Sequence, residues 1–177
     1  VGLGFKAGLF NIGAQGQFFV GAFVAAVVGS GIGLPFPVLL LLALFGGFLG
    51  GAAWGFIPGA LKAWRGAHEV VVTIMLNSIA ALGLNLLAST GFKDPGASLP
   101  RTPDVYPEAA LPILIEGTKM HAGIIVALLA AVAVWFLLFK STLGFEIRTT
   151  GANPNAARYA GIRPGFIIVL TMSIAGG

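Results

Sequence analysis

Charged residues divide the chain into long apolar stretches. Residues 7–61 carry no charge, and neither do residues 70–92 and 120–139. A helix needs about 20 predominantly apolar residues to cross the hydrocarbon of a bilayer. The two shorter stretches therefore predict one membrane crossing each, whereas the first stretch is long enough for two.

The first stretch has a visible break. Glycine and proline are concentrated in residues 29–37, and this composition predicts a turn between spans at residues 12–30 and 38–61. A further apolar segment begins at Phe166 and is shorter than a crossing. We therefore expect an all-α, polytopic membrane helix bundle with four full transmembrane helices and a truncated fifth. The chain is expected to be cut from a longer protein at both ends.

The composition supports a membrane protein. Of the 177 residues, 57% are hydrophobic and 9% are charged. Soluble domains carry about 25% charged residues, so this composition excludes an ordinary soluble enzyme. The absence of cysteine excludes a disulfide framework and a cysteine nucleophile.

The distribution of charge predicts the orientation. Loops 62–69 and 140–165 are rich in Lys and Arg, whereas loop 89–120 balances both signs. Alternating crossings put the two basic loops and Lys6 on one side, which should be cytoplasmic. We expect residues 1–177 to form a single transmembrane domain of a multi-pass protein in the cytoplasmic (inner) membrane. Loop 89–120 is then extracytoplasmic. We attribute the net charge of +4 to the basic cytoplasmic loops and expect no nucleic-acid partner.

Glycines recur every fourth residue along the second predicted span, at Gly47, Gly51, Gly55 and Gly59. Such a stripe of small residues lets another helix approach closely. We therefore predict that these four glycines pack helices together in a bundle.

Polar side chains within the first and third spans are candidates for a substrate path. Thr73, Asn77 and Asn85 are spaced by four and eight residues, and we expect them to share one face of the third span. The first span begins with the polar residues Asn11, Gln15 and Gln17. Polar groups in hydrocarbon need partners, so these six residues either line a substrate path or join helices by hydrogen bonds.

The loop between the fourth span and the last apolar segment predicts a short helix at residues 154–160. Asn153 followed by Pro154 is a strong helix start, and Gly161 fits the left-handed residue after a helix. Ala156, Ala157 and Ala160 are expected to form a smooth face. A helix this short needs a surface to dock on, which favours a docking element over an ordinary loop.

Common catalytic and nucleotide-binding patterns are absent from the sequence. It contains no Walker A pattern, no HExxH, no G-x-S-x-G and no paired carboxylates within a span. We therefore expect a chain that is not an enzyme and holds no metal. Energy for uphill transport would come from a partner or an ion gradient, and the spans lack a buried acid for proton coupling.

Three motifs resemble those of one family, the permease subunits of ABC-type importers. The resemblance is to the simple-sugar and nucleoside branch, which is related to the branched-chain amino acid permeases. Residues 10–17 read FNIGAQGQ and resemble "FNIGAEGQ", with Gln15 in place of Glu. Residues 59–77 resemble "G-x-LK…NEVI-x-T-x-MLN", with His68 where Asn is more usual. Residues 150–162 resemble the cytoplasmic coupling segment of that family.

The resemblance implies a permease subunit that forms the translocation path for a nucleoside or a similar small polar solute, such as a simple sugar. The alternative is a secondary transporter or channel that works without an ATPase. The implied partners are an ATP-binding subunit that holds the ATP, a second identical or homologous permease, an extracytoplasmic solute-binding (lipo)protein and the lipid bilayer. No cofactor is implied for this chain. The candidates for coupling to the ATPase are Arg148, Gly151, Asn153, Pro154, Ala156, Ala157, Arg158 and Gly161.

Overall fold

The computed structural model describes residues 2–94, 96, 101–114, 117 and 120–177. Within these ranges the regular structure is helical, apart from one isolated bridge between Ile113 and His121. The helices are α1 (Gly2–Lys6), α2 (Ala14–Gly31), α3 (Val38–Arg65), α4 (Glu69–Ser89), a 3-10 turn (Pro107–Ala109), α5 (Gly123–Lys140), α6 (Thr142–Ala152), α7 (Pro154–Tyr159) and α8 (Pro164–Gly176).

Helices α2 to α5 confirm the four predicted crossings. They contain 18, 28, 21 and 18 residues and are apolar enough to cross a membrane. At about 1.5 Å per residue, the 18-residue helices extend about 27 Å, close to the thickness of the hydrocarbon. The all-α bundle predicted from the charge-free stretches is therefore confirmed. The last apolar segment forms α8, whose 13 residues are fewer than a crossing needs.

Local sequence explains where the helices end. Helix α3 ends at Gly66, which adopts a left-handed φ of 65° and donates its amide to the carbonyl of Lys62, while the amide of Ala67 donates to the carbonyl of Leu61. Ser141 separates α5 from α6, and its hydroxyl accepts a hydrogen bond from the amide of Gly144. Three residues, 66–68, thus separate α3 from α4, and a single residue separates α5 from α6.

The two ends of the bundle differ. At one end, Lys62 forms an ion pair with Glu69 at 2.9 Å, and α1 packs against α6. We call this end, which holds Lys6, Lys62 and α6, the basic end. At the other end, the amide of Tyr106 donates to the carbonyl of Gly29 at 3.0 Å. The basic segments thus lie together, as alternating crossings require, and the side of the membrane that they face stays a prediction.

The buried apolar core lies at the basic end. Residues from α1, the turn after it, the end of α5, α6 and α8 form one cluster: Leu3, Ala7, Leu9, Leu138, Ile147, Ile167 and Met172. Elsewhere the spanning helices expose apolar side chains, and Leu138 is the single buried residue of α5. Such a surface suits lipid or further protein within a membrane.

The glycine stripe lies where α3 meets two neighbours. A Cβ on Gly47 would lie 3.2 Å from both the Ala25 methyl group and the Gly21 carbonyl of α2. Gly55 faces the Met172 carbonyl of α8. The backbones approach so closely that side chains at these positions would hold the helices apart.

Candidate functional site

The start of α2 is built from an irregular segment and not from an ordinary helix cap. Gly13 precedes the helix and supplies no side-chain cap. Instead, Asn11 Oδ1 accepts a hydrogen bond from the Gly13 amide at 2.9 Å. Asn77 Oδ1, from α4, accepts one from the Gly16 amide at 2.8 Å. A side chain of a different helix therefore satisfies one of the free amides at the start of α2.

Three amide side chains, those of Asn11, Gln17 and Asn77, form what we call the amide cluster. Asn11 Nδ2 donates to Gln17 Oε1 at 3.0 Å, and both side chains are almost fully buried. Asn77 Nδ2 donates to the carbonyl of Ile12 at 3.1 Å. These bonds satisfy polar groups that would otherwise be costly in an apolar interior.

Two sequence motifs, far apart in the chain, meet at this cluster. Thr73 is fully buried on α4, and its side chain would lie about 3.0 Å from a Cβ placed on Gly13. Its hydroxyl donates to the carbonyl of Glu69 at 2.7 Å. The backbone of Phe10 lies near the carboxylate of Glu69, the first residue of α4. The segment before α2 is thus held against the first turns of α4.

Trp54 lies beside the cluster and was not predicted to belong to it. Its indole Nε1 is buried and has no hydrogen-bond partner among the described residues. A Cβ on Gly16 would lie 3.2 Å from this nitrogen. The only signal for Trp54 in the sequence is its position within the glycine stripe. That position predicts helix packing as readily as a place beside the amide cluster.

Two predicted path residues lie outside the cluster. Gln15 and Asn85 are exposed on the surface of the chain, whereas Thr73 is fully buried. The expectation that Asn85 shares a face with Thr73 and Asn77 is therefore wrong. A helix turns about 100° per residue, so eight residues place Asn85 about 80° from Asn77.

A groove leads away from the amide cluster. A cleft of about 460 Å³ lies between α2, α3 and the end of α8, with Gln17 and Gly47 in its wall. A second cleft of about 300 Å³ shares Ala22 and Ala43 with the first and is bordered by Val105. The groove thus extends from the amide cluster towards the opposite end of the bundle, and small apolar residues form most of its surface.

The short helix predicted at residues 154–160 is present as α7. Asn153 Oδ1 accepts hydrogen bonds from the amides of Asn155 and Ala156 at 2.9 and 3.2 Å, and Pro154 occupies the first position. Gly161 follows the helix with a φ of 81°. The sequence therefore determines both ends of this helix.

The exposed surface of α7 differs from the predicted one. Ala156, Arg158 and Ala160 are exposed, and Tyr159 is 95% exposed. Ala157 is fully buried within the chain, so the expected smooth face of three alanines is wrong. Ala157 lies about 100° around the helix from Ala156, and this turn directs it inward.

Two other coupling candidates contact their own chain. Arg148 Nη1 donates to the carbonyl of Leu138, and the guanidinium lies 5.4 Å from the centre of the Phe139 ring. Gly151 packs against the backbone of the turn at Gly8. Both residues therefore fix α6 within the bundle. Within the described residues, no group of three His, Cys, Asp or Glu side chains could hold a metal ion.

Four apolar crossings, two of which are joined by the amide cluster, define a multi-pass helical membrane protein. A family model described as "Branched-chain amino acid transport system / permease component" matches residues 2–177. The chain belongs to this family and is a multi-pass protein of the cytoplasmic membrane.

Several curated proteins are similar to the chain. It is 44% identical to the guanosine ABC transporter permease protein NupP of Bacillus subtilis (strain 168), over 99% of the chain and 51% of that protein. It is 34% identical to the nucleoside ABC transporter permease protein NupB of Lactococcus lactis, over 97% of the chain and 50% of that protein. It is 32% identical to the glucose ABC transporter permease protein TsgB13 of Haloferax volcanii, over 97% of the chain and 48% of that protein.

The chain spans about half the length of these relatives. No solved structure matches it.

Proposed function

We propose that the chain is part of the permease subunit of an ATP-binding-cassette importer. In this proposal it contributes to the path of a nucleoside or a similar small polar solute, such as a simple sugar. Its family and the names of its relatives, which include nucleoside and sugar permeases, support this assignment. ATP is bound and hydrolysed by a separate subunit.

The observation that carries the proposal is α7. A helix of six residues is too short to be stable alone, yet the Asn153 cap and the buried Ala157 methyl group hold this one in place. It presents Arg158 and Tyr159, two residue types that are enriched at protein interfaces. A helix built in this way at the basic end provides a docking surface for the ATP-binding subunit.

The docking surface consists of the exposed residues of this segment. Ala156 and Ala160 leave room for close approach, and Arg158 supplies a charge for an acidic partner surface. Asn153, Pro154 and Gly161 give the segment its shape. Arg148, Gly151 and Ala157 act inside the chain and support the surface without contacting the partner.

The amide cluster and the groove from it contribute to the solute path. Amide groups both donate and accept hydrogen bonds, which suits the hydroxyl and carbonyl groups of a nucleoside or sugar. Exposed Gln15 and Asn85 remain candidates for the same path. A second permease, identical or homologous, closes the groove, and a solute-binding (lipo)protein delivers the solute at the end opposite the basic end.

The test is uptake by the full-length protein in liposomes that also contain its second permease and its solute-binding protein, with and without the ATP-binding subunit. Radiolabelled guanosine, uridine and glucose are the probes. We expect uptake only with an ATP-binding subunit that hydrolyses ATP. Uptake by the membrane protein alone would refute the proposal and support a secondary transporter or channel.

Charge reversal tests the docking surface. Arg158→Glu should reduce co-purification of the ATP-binding subunit, because it places a negative charge on α7. Arg65→Glu is the matched control, since Arg65 is exposed at the same end but lies on α3. An equal loss of the subunit in both variants would contradict a specific role for α7.

A further inference from the structure

We infer that α6 transmits the movement of α7 to the amide cluster through a direct backbone contact between Gly151 and Gly8. The inference rests on the proposed function, because only a transporter driven by a docked ATPase needs such a transmission. Gly8 and Gly151 are then positioning residues: they touch no solute, and they act on residues that lie deeper in the bundle.

The contact between the two glycines is close from both sides. A Cβ on Gly151 would overlap the Lys6 carbonyl and lie 2.8 Å from the Gly8 nitrogen. A Cβ on Gly8 would lie 3.1 Å from the Gly151 carbonyl oxygen. No side chain separates the two backbones, so a displacement of α6 acts directly on the turn at Gly8.

The turn at Gly8 is firmly connected to the amide cluster. The carbonyl of Gly4 accepts hydrogen bonds from the amides of Ala7 and Leu9, both at 2.9 Å. Leu9 is 3% exposed within the apolar core. Asn11 follows two residues later and bonds to Gln17. The segment from the contact to the cluster is therefore short and packed, and it can pass on a displacement.

On its other side, α6 is firmly connected to α7. Asn153 is the single residue between the two helices, and its amide donates to the Thr149 carbonyl of α6 at 3.0 Å. Ile147 is fully buried in the core, and Arg148 bonds to the Leu138 carbonyl at the end of α5. Helices α6 and α7 therefore move together, and α5 moves with them.

Two alanine substitutions test the contact, each with a matched control. Gly151→Ala inserts a methyl group into the contact, whereas Gly83→Ala adds one inside α4, where a Cβ meets open space. Gly8→Ala adds a methyl group at a φ of 71°. Gly66→Ala carries the same backbone strain at a φ of 65°, with no atom within 4 Å of the new methyl group.

The readout is the number of ATP molecules hydrolysed for each radiolabelled guanosine, uridine or glucose molecule taken up. It is measured on the full-length protein with its ATP-binding subunit in liposomes. We expect this ratio to rise at least about fivefold in Gly151→Ala and in Gly8→Ala, in line with typical coupling free energies between sites. The ratio should stay unchanged in Gly83→Ala and Gly66→Ala, and all four variants should retain the ATP-binding subunit.

An unchanged ratio in Gly8→Ala and Gly151→Ala, with an active wild type, would overturn the inference alone. If Gly151→Ala fails to assemble, the pair of Gly8→Ala and Gly66→Ala decides the question. Loss of assembly in both Gly8→Ala and Gly151→Ala would assign the contact a structural role and overturn the inference. A wild type without ATP-dependent uptake would overturn the proposed function as well.

Discussion

Replacing Asn77 by alanine is expected to loosen the contact between α4 and the start of α2. Asn77 Oδ1 accepts a hydrogen bond from the Gly16 amide at 2.8 Å, and Nδ2 donates to the Ile12 carbonyl at 3.1 Å. Alanine removes both bonds and supplies no replacement. The amide of Gly16 is then unpaired at a helix start, close to the buried Trp54 indole, which already lacks a partner among the described residues.

The magnitude follows from the environment of each bond. The bond to Gly16 is partly buried, and leaving a buried amide unpaired costs about 1 to 3 kcal/mol. The bond to Ile12 is exposed and contributes less. Hydrogen bonds between membrane helices average about 0.6 kcal/mol and reach about 1.7 kcal/mol. We therefore expect Asn77→Ala to lower the free energy of unfolding by about 1 to 2 kcal/mol.

Asn85→Ala is the matched control, because it makes the same chemical change on the same helix. The Asn85 side chain is exposed and makes no hydrogen bond within the described part of the chain. Its replacement should change the free energy of unfolding by less than about 0.5 kcal/mol. The assay is unfolding of the full-length protein by sodium dodecyl sulfate in mixed micelles, followed by uptake measurements on the same variants in liposomes.

The outcome also separates the two hypotheses for the polar residues. Equal losses of stability in Asn77→Ala and Asn85→Ala would refute the argument from hydrogen bonding. Normal stability with lost uptake in Asn77→Ala would show that its side chain serves the solute path instead. Lost uptake with normal stability in Asn85→Ala would support a path along the exposed face of α4.

Three further predictions concern other parts of the chain. Ala157→Glu should prevent stable folding, because it buries a charge at a fully buried position, whereas Ala156→Glu should fold and lose the ATP-binding subunit. Gly55→Ala should lower the free energy of unfolding by about 1 to 3 kcal/mol, because the new methyl group meets the backbone of α8. The hydrogen-bonded Arg101 guanidinium lowers the pKa of Asp94, so their ion pair persists above that pKa and is lost as the pH falls through it. Arg101→Gln should therefore raise the pKa of Asp94.

Each of these predictions has a direct measurement and a contradicting result. Size-exclusion chromatography in detergent reports folding, and a folded, monodisperse Ala157→Glu would contradict the burial of Ala157. Unfolding by sodium dodecyl sulfate tests Gly55→Ala, and wild-type stability would contradict the close contact with α8. Carbon NMR of the Asp94 carboxyl group reports its pKa, and an unchanged value in Arg101→Gln would assign the shift to another group.

Much of the fold could be predicted from the order of residues, because the signals involved are local. Stretches without charge mark crossings, since charged side chains are costly in hydrocarbon and therefore rare within spans. Asn153, Pro154 and Gly161 likewise bound α7, because helix caps involve residues only a few positions apart. These features needed no knowledge of which helices are neighbours.

The candidate site was less predictable, because side-chain roles depend on neighbours that are distant in the chain. Asn77 and Asn85 are both asparagines of α4, yet Asn77 bonds to the start of α2 and Asn85 is exposed. Arg148 was predicted to contact the ATP-binding subunit, but its guanidinium donates a hydrogen bond to the Leu138 carbonyl at the end of α5. Whether such a side chain bonds within the chain or is exposed depends on the direction in which it points relative to the neighbouring helices.

The sequence by itself determined the number of crossings, the short helix α7 and the family, because hydrophobic length, helix caps and motifs are contained in contiguous residues. The tertiary structure alone decided that two motifs join in one amide cluster and that Ala157 faces inward. It also brought Gly8 against Gly151, across more than a hundred intervening residues. Such contacts depend on how helices pack, and packing is set by the shapes of all the neighbours together.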